Sequence, residues 1–198
     1  MKERTILAAL PKAFYARPDV VAVSRELLGK RLCTKLNGGV TKAIITETEA
    51  YAGIDDRASH AYGGRRTART EPMYADGGTA YVYLCYGIHH LFNVVTNVEG
   101  IPHAVLIRAA IPAEGEMLML RRRQKKSVDK ALLGGPGSLS KALGITTRLT
   151  GESLWSERIW IEDTGIVPDV SKIKAGPRIG IDYAGEDAAR PYRFILTQ

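Results

Sequence analysis

Long apolar runs are missing from this 198-residue chain, and so are the spacings by which side chains usually hold metals. No stretch reaches the roughly 20 apolar residues of a bilayer-spanning helix, and the apolar part of MKERTILAALPKAF is too short for a secretory leader. The two cysteines, Cys33 and Cys85, each lie in an apolar strand-like run, which fits buried thiols better than a disulfide or a metal pair. Four histidines, His60, His89, His90 and His103, show no ligand-type spacing with an acid or a cysteine, so no metal and no cofactor is implied. A reducing cytoplasm is the expected compartment. Internal repeats, low-complexity tracts and linkers are absent too, so residues 1–198 read as one domain with an arm at 1–16.

What is present is basic. With 28 Lys+Arg against 21 Asp+Glu the formal charge is +7, which favours a polyanionic partner without proving one. Pro18-Asp19 opens a helical pattern carrying Val20, Val23, Leu27 and Leu28, with Gly29 as its stop. Strands at Arg31–Leu36 and Val40–Tyr51 flank Asn37-Gly38-Gly39, a hairpin turn signal because Asn and Gly tolerate positive φ. Ala52–Thr79 reads as a long loop with one helical turn near Asp55–His60, and loops of that length in a compact domain are usually functional. Tyr81–Tyr86 and Leu91–Val95 form a second strand pair, and Ala104–Ala109 a further strand ending at Ile111-Pro112. Glu114–Arg123 reads as a helix with Met117, Leu118 and Leu120 inward, and Ser138 as the cap of a short helix, SLSKALG. A strand at Ile159–Glu162 and the segments RIGIDYAG and RPYRFIL complete a mixed sheet, giving an α+β class with a curved, largely antiparallel sheet flanked by helices.

The chain is organised around ITETEAYAGIDDRASHAYGGRRTAR, residues Ile45–Arg69. Strand alternation sets Ile45, Glu47, Glu49 and Tyr51 on one face, so two carboxylates lie about 7 Å apart. On a solvated face they would do nothing; facing a cavity, one of them suits a general base. Glu49 is favoured over Glu47 because it stands nearer the strand end and Tyr51. Tyr51, Tyr83 and Tyr86, with His60, offer flat faces for stacking on a base, and Tyr86 beside Gly87 is placed to project from a hairpin tip. Asn93 inside LFNVV and Arg108 after VLI are polar groups in apolar runs, so each needs a partner, internal or ligand. Arg65, Arg66 and Arg69 form a basic loop, while Ser138 and Lys141 on the short helix offer backbone N–H groups and a cation; all five suit phosphate contacts.

ETEAY, the histidine eleven residues beyond its second acid, GGRRTAR, GTAYVYLCYG, LFN, LIRAAIP, GGPGSLSKALGI and PRIGIDYAGEDAARPYRF occur in an order that resembles the alkyladenine, or 3-methylpurine, DNA glycosylase family. The likeness runs from about Leu27 to the C-terminus; TNVEGIPH makes a slightly longer connection than animal members have. The resemblance implies a mixed α/β domain whose protruding hairpin enters the minor groove of double-stranded DNA while a damaged purine turns into a pocket. It assigns Glu49 as catalytic acid, Arg108 as its companion in holding the attacking water, and Tyr51, His60 and Tyr83 as the groups enclosing the base. Asn93 becomes the residue that rejects guanine, and Tyr86 the intercalating wedge. It further implies a monomer without cofactor, near the nucleoid if bacterial, acting on 3-methyladenine and 7-methylguanine, with hypoxanthine and ethenoadenine as further candidate substrates. No lysine stands beside Glu49, so no Schiff-base lyase step is expected. Two other readings compete: a single-strand or RNA-binding module, which leaves the acids unexplained, and a carbohydrate hydrolase using Glu47 and Glu49, whose i, i+2 spacing straddles a scissile bond poorly.

Overall fold

Asn37 and Gly38 close the first hairpin with φ of 51° and 77°, the positive pair that a two-residue turn between right-twisted strands requires. A computed structural model describes residues 9–197. Along it run α1 (Lys12–Tyr15), α2 (Val20–Glu26), β1 (Arg31–Leu36) and β2 (Gly39–Tyr51). A long loop with short 3₁₀ turns at Gly53–Asp55, Tyr62–Gly64 and Glu71–Tyr74 follows. Next come β3 (Ala80–Cys85), β4 (His89–Thr96), β5 (His103–Glu114), α3 (Glu116–Arg123), α4 (Pro136–Leu143), β6 (Ile159–Glu162), β7 (Ile173–Gly176) and β8 (Arg193–Leu196).

The eight strands make one curled α+β sheet in the order β3-β4-β5-β2-β1-β6, with β8 joining β2 and β7 joining β8, and every pairing is antiparallel. One edge of β2 is shared: β1 pairs with it from Gly39 to Ile44, and β8 takes over from Glu47 to Glu49. At that handover the register with β5 shifts between Ile45 and Thr48. The bulge reverses the parity of the strand. Ala43 and Ile45 point into the main core, yet beyond it Ala50 does so too, and Thr48 is buried with its hydroxyl donating to Ser24 O at 2.8 Å. Strict alternation therefore fails here: Ile45 does not share a face with Glu47, Glu49 and Tyr51, which the bulge re-aims to the opposite side. Bulges serve this purpose beside many functional sites.

The core-facing side is covered by α2 and α4. Val20, Val23, Leu27 and Leu28 meet Ile45, Phe92, Val94, Val105 and Ile107 from one direction, and Leu139, Ala142 and Leu143 from another. Asp19 caps α2 as expected, accepting from Ala22 N at 2.9 Å.

Several boundaries differ from the sequence reading. Of the arm at 1–16, residues 1–8 lie outside the described residues, while Leu10 N–H donates to Ile161 O at 2.8 Å and Tyr15 is fully buried. That part belongs to the body. β5 runs through Ile111-Pro112 to Glu114, where Lys42 pairs with Glu114. Gly115, at φ 80°, then starts α3 at Glu116, which turns Met119 and Leu120 inward and leaves Met117 exposed. Ser138 caps nothing: Gly135 occupies the cap of α4, Pro136 its first turn, and Ser138 lies within the helix. RIGIDYAG is not a strand but a loop running into a 3₁₀ segment at Asp182–Ala189, and β7 lies upstream of it. Cys33 is buried, whereas Cys85 at the hairpin end is only partly so.

Candidate active site

Register sets two of the expected site residues, Asn93 and Glu49, in one row. Tyr81 pairs with Asn93, Asn93 with Leu106, and Leu106 with Glu49, so these four form one row across β3, β4, β5 and β2. Directly paired residues share a face. A cavity of about 470 Å³ opens over it, within the range of small-molecule sites. Its floor is Tyr51, Tyr81, Tyr83, Leu91, Asn93, Leu106 and Arg108; His60, Arg69 and Met73 come from the long loop, and Ile179, Gly180, Ile181 and Tyr183 from the loop before β8. Tyr86 stands at the rim. The hairpin tip holds it there: Tyr86 and Gly87 have φ of 50° and 73° between the last pair, Cys85 and His89, and Tyr86 is 92 % exposed.

Glu49 has no solvent exposure. Its Oε2 accepts from Tyr51 Oη at 2.9 Å, and its Oε1 accepts from the Ile179 N–H at 2.9 Å and lies 3.3 Å from Arg108 Nη1. Burial first, and the neighbouring Glu49 next, push the Tyr51 phenol well above its ordinary range, so its proton stays on and is donated to the carboxylate. Glu47 is placed differently. Its Oε1 is gripped by Arg108 Nε at 3.0 Å and Arg193 Nε at 2.6 Å; neither acid itself lines the cavity, but the three partners of Glu49, Tyr51, Arg108 and Ile179, all do, whereas Arg193 does not. Arg108 thus spans both acids, and an acid pair astride a sugar linkage is not formed.

His60 Nδ1 lies 2.8 Å from Tyr81 Oη, and its ring meets that of Tyr83 edge-on at 4.6 Å between centroids. Burial, then Arg69 and Arg65, lower its pKa from 6.5 to about 4. A base whose folded pKa is depressed contributes stability that is complete above the unfolded value and is lost as pH falls through the folded one. Chemical unfolding between pH 7 and pH 4 should therefore show a loss on the order of 2–3 kcal/mol that His60→Gln removes. An unchanged slope in that variant contradicts the buried neutral ring. Asn93 is nearly buried and donates both N–H groups inward, to Tyr81 O at 3.1 Å and Leu91 O at 3.2 Å, so its partners are internal.

Of the basic residues, Arg69 places its guanidinium 5.2 Å from the centroid of Tyr83 at the cavity edge, and Arg65 is exposed. Arg66 is occupied by a two-pronged pair with Glu71, at 2.9 and 2.7 Å, so any phosphate must compete with that carboxylate. Lys141 is exposed on α4, and Gly137 in the helix's first turn lies against His89, next to the hairpin tip.

The sequence reading missed what ties the cavity walls together. Asp56 and Arg178, both without side-chain exposure, form a two-pronged ion pair. The Arg178 guanidinium lies between the rings of Tyr51 and Tyr192, 4.8 and 5.3 Å from their centroids, and also donates to Ala50 O and Asp187 O. Asp56 accepts from the N–H groups of Ala52 and Ala58. Burial raises the Asp56 carboxyl, but Arg178 and those N–H groups outweigh it and hold its pKa below the ordinary value. Three segments meet at this pair: the end of β2 with Tyr51, the loop bearing His60, and the loop whose Ile179 N–H reaches Glu49. Arg178 follows a proline in a polar stretch, and nothing local announces it. Tyr81, though buried, lines the cavity as well.

A ring-walled cavity over a fully buried carboxylate, on a basic chain, has the form of an enzyme site for a flat ligand. The family model described as methylpurine-DNA glycosylase matches residues 13–198. A Chlamydia felis protein named "Putative 3-methyladenine DNA glycosylase" is 48 % identical over 95 % of this chain and 96 % of its own. Proteins of the same name from Desulfitobacterium hafniense, 46 % identical over 94 % of each chain, and Bacillus cereus, 48 % over 93 % of each, are similar too. The chain belongs to the methylpurine-DNA glycosylase family. It is therefore a DNA glycosylase, a hydrolase of N-glycosyl bonds whose substrate is DNA.

Proposed function

We propose that this chain turns alkylated purines, 3-methyladenine and 7-methylguanine above all, out of duplex DNA into the cavity and hydrolyses the glycosidic bond with a water activated by Glu49. The observation that carries the reading is the hydrogen-bond count at Glu49. A carboxylate offers about four acceptor sites. Tyr51 and Ile179 take two of them and Arg108 stands by as the counter-charge at 3.3 Å, so acceptor capacity remains for a water. In this scheme the water attacks C1′ as the sugar becomes cation-like, Glu49 takes its proton and its charge opposes that of the sugar, and the purine departs with the bonding electrons. An already cationic methylpurine needs little further help to leave. Arg108 positions Glu49 and the water, and is itself steadied by Glu47. Tyr51, His60 and Tyr83 enclose the base, and Asn93, both N–H groups committed to the sheet, cannot swing away from the exocyclic amine of guanine. Among the described residues no lysine lines the cavity, consistent with hydrolysis without a covalent imine. The product is an abasic site, the starting point of base-excision repair. A monomer suffices, because every group named comes from one chain.

Tyr86 supplies the wedge in this reading. Extrusion costs a few kcal/mol, least for a weakly paired base, and an inserted ring restores part of the lost stacking. The test is purine release from methylated duplex DNA in the presence of a chelator, with Tyr86→Ser in parallel. Wild type should release methylpurine without added metal. Tyr86→Ser should be slower by about tenfold on a paired lesion, in line with ~1–3 kcal/mol per stacked ring, and by less on an unpaired one. Equal losses on both substrates argue against the wedge, and absence of release from wild type argues against the whole proposal.

A further inference from the structure

Tyr183 is an exposed aromatic lining the cavity that the scheme above leaves without work. It is 71 % exposed, as an idle surface tyrosine would be, yet its ring lines the same cavity as Tyr86. Its hydroxyl donates to Ala58 O at 3.3 Å, and its neighbours Ile181 and Ala184 are buried against Ala58. The side chain therefore stands on a fixed base. Burial of that end raises the pKa of its phenol, so the hydroxyl stays protonated and able to donate. Two tyrosines from separate elements thus share one opening, one on the β3–β4 hairpin and one on the 3₁₀ segment Asp182–Ala189.

The interior is lined by Tyr51, His60 and Tyr83, which leaves no reason for a base to remain at the rim. When a base sits inside, the part of the nucleotide at the rim is its sugar with the adjoining backbone. We propose that Tyr183 is a second DNA-contacting aromatic, packing against the sugar of the extruded nucleotide while Tyr86 fills the gap in the duplex. This rests on the extrusion reading above. The two tyrosines then differ in what they touch: Tyr86 contacts the helix left behind, and Tyr183 contacts the nucleotide that has left it.

That difference gives the test. Single-turnover excision of one alkylated purine is measured in a paired duplex and in a strand where the lesion is unpaired, for wild type, Tyr183→Ala, Tyr183→Phe and Tyr86→Ala, with thermal unfolding alongside. Tyr183→Ala should be slower on both substrates by a similar factor, about tenfold for the loss of one ring contact. Tyr183→Phe should stay within about twofold of wild type, because the ring and not the Ala58 hydrogen bond makes the contact. Tyr86→Ala should lose mainly on the paired lesion. A loss in Tyr183→Ala confined to the paired lesion, a Phe variant as slow as the Ala variant, or a rate loss accounted for by unfolding overturns the proposal. So does a wild-type rate in Tyr183→Ala. If wild type itself excises from neither substrate, the extrusion reading falls with it; excision by wild type with an indifferent Tyr183→Ala removes this inference alone.

Discussion

Glu49→Gln lowers the single-turnover rate of purine release by about 10²–10⁴-fold, the usual worth of a positioned general base, while duplex binding stays within a few-fold of wild type. Glutamine keeps the shape of the side chain: its one oxygen can still accept from the Ile179 N–H while its amide N–H donates to the Tyr51 hydroxyl, but it cannot take a proton from water. It also removes the negative charge facing the sugar. Glu47→Gln provides the internal control. Glu47 holds Arg108 and Arg193, so its loss loosens Arg108 without deleting the base, and a smaller defect is expected. Rapid-quench kinetics under excess enzyme check both, with filter binding for affinity. A Glu49→Gln enzyme that releases purine at the wild-type rate contradicts the assignment, and a larger defect in Glu47→Gln transfers the role to that residue.

Arg178→Met destabilises the protein by about 3–5 kcal/mol, because removing one member of a buried ion pair strands the other. Asp56 is fully buried and keeps only its two backbone donors once the guanidinium is gone. Adding Asp56→Asn should recover part of the loss, since an amide needs no counter-charge. The double variant is thus more stable than Arg178→Met alone, a non-additivity expected of residues in contact. Urea unfolding of the wild type, both single variants and the double variant measures it. Excision should fall beyond the stability effect, because Arg178 anchors the segment whose Ile179 N–H holds Glu49. Additive single effects contradict the coupling.

Local features were legible in the sequence where local physics decides them. Asn37-Gly38 gave its turn, Asp19 its helix cap, Ile159–Glu162 its strand and Tyr86-Gly87 its projecting tip. Glu49 was singled out through a pattern whose premise was partly wrong. Alternation placed it with Ile45, whereas the bulge before Thr48 separates the two, and a bulge depends on which neighbouring strands end where. The same tertiary pressure carried β5 across Pro112 and moved α3 along by two residues, so that Met119 rather than Met117 reaches the core. What holds the site together could not be read at all. The Asp56–Arg178 pair joins residues 122 apart and the Ile179–Glu49 hydrogen bond residues 130 apart, and Asp56, Arg178 and Ile179 lie in irregular segments that carry no period to interpret.

The most direct test of the account is a crystal structure of Glu49→Gln bound to a duplex carrying a single ethenoadenine. The account predicts the lesion inside the cavity among Tyr51, His60 and Tyr83, with its C1′ a water's width from residue 49 and Tyr86 in the vacated stack. A lesion still stacked in the duplex, or a nucleotide bound away from that cavity, contradicts it.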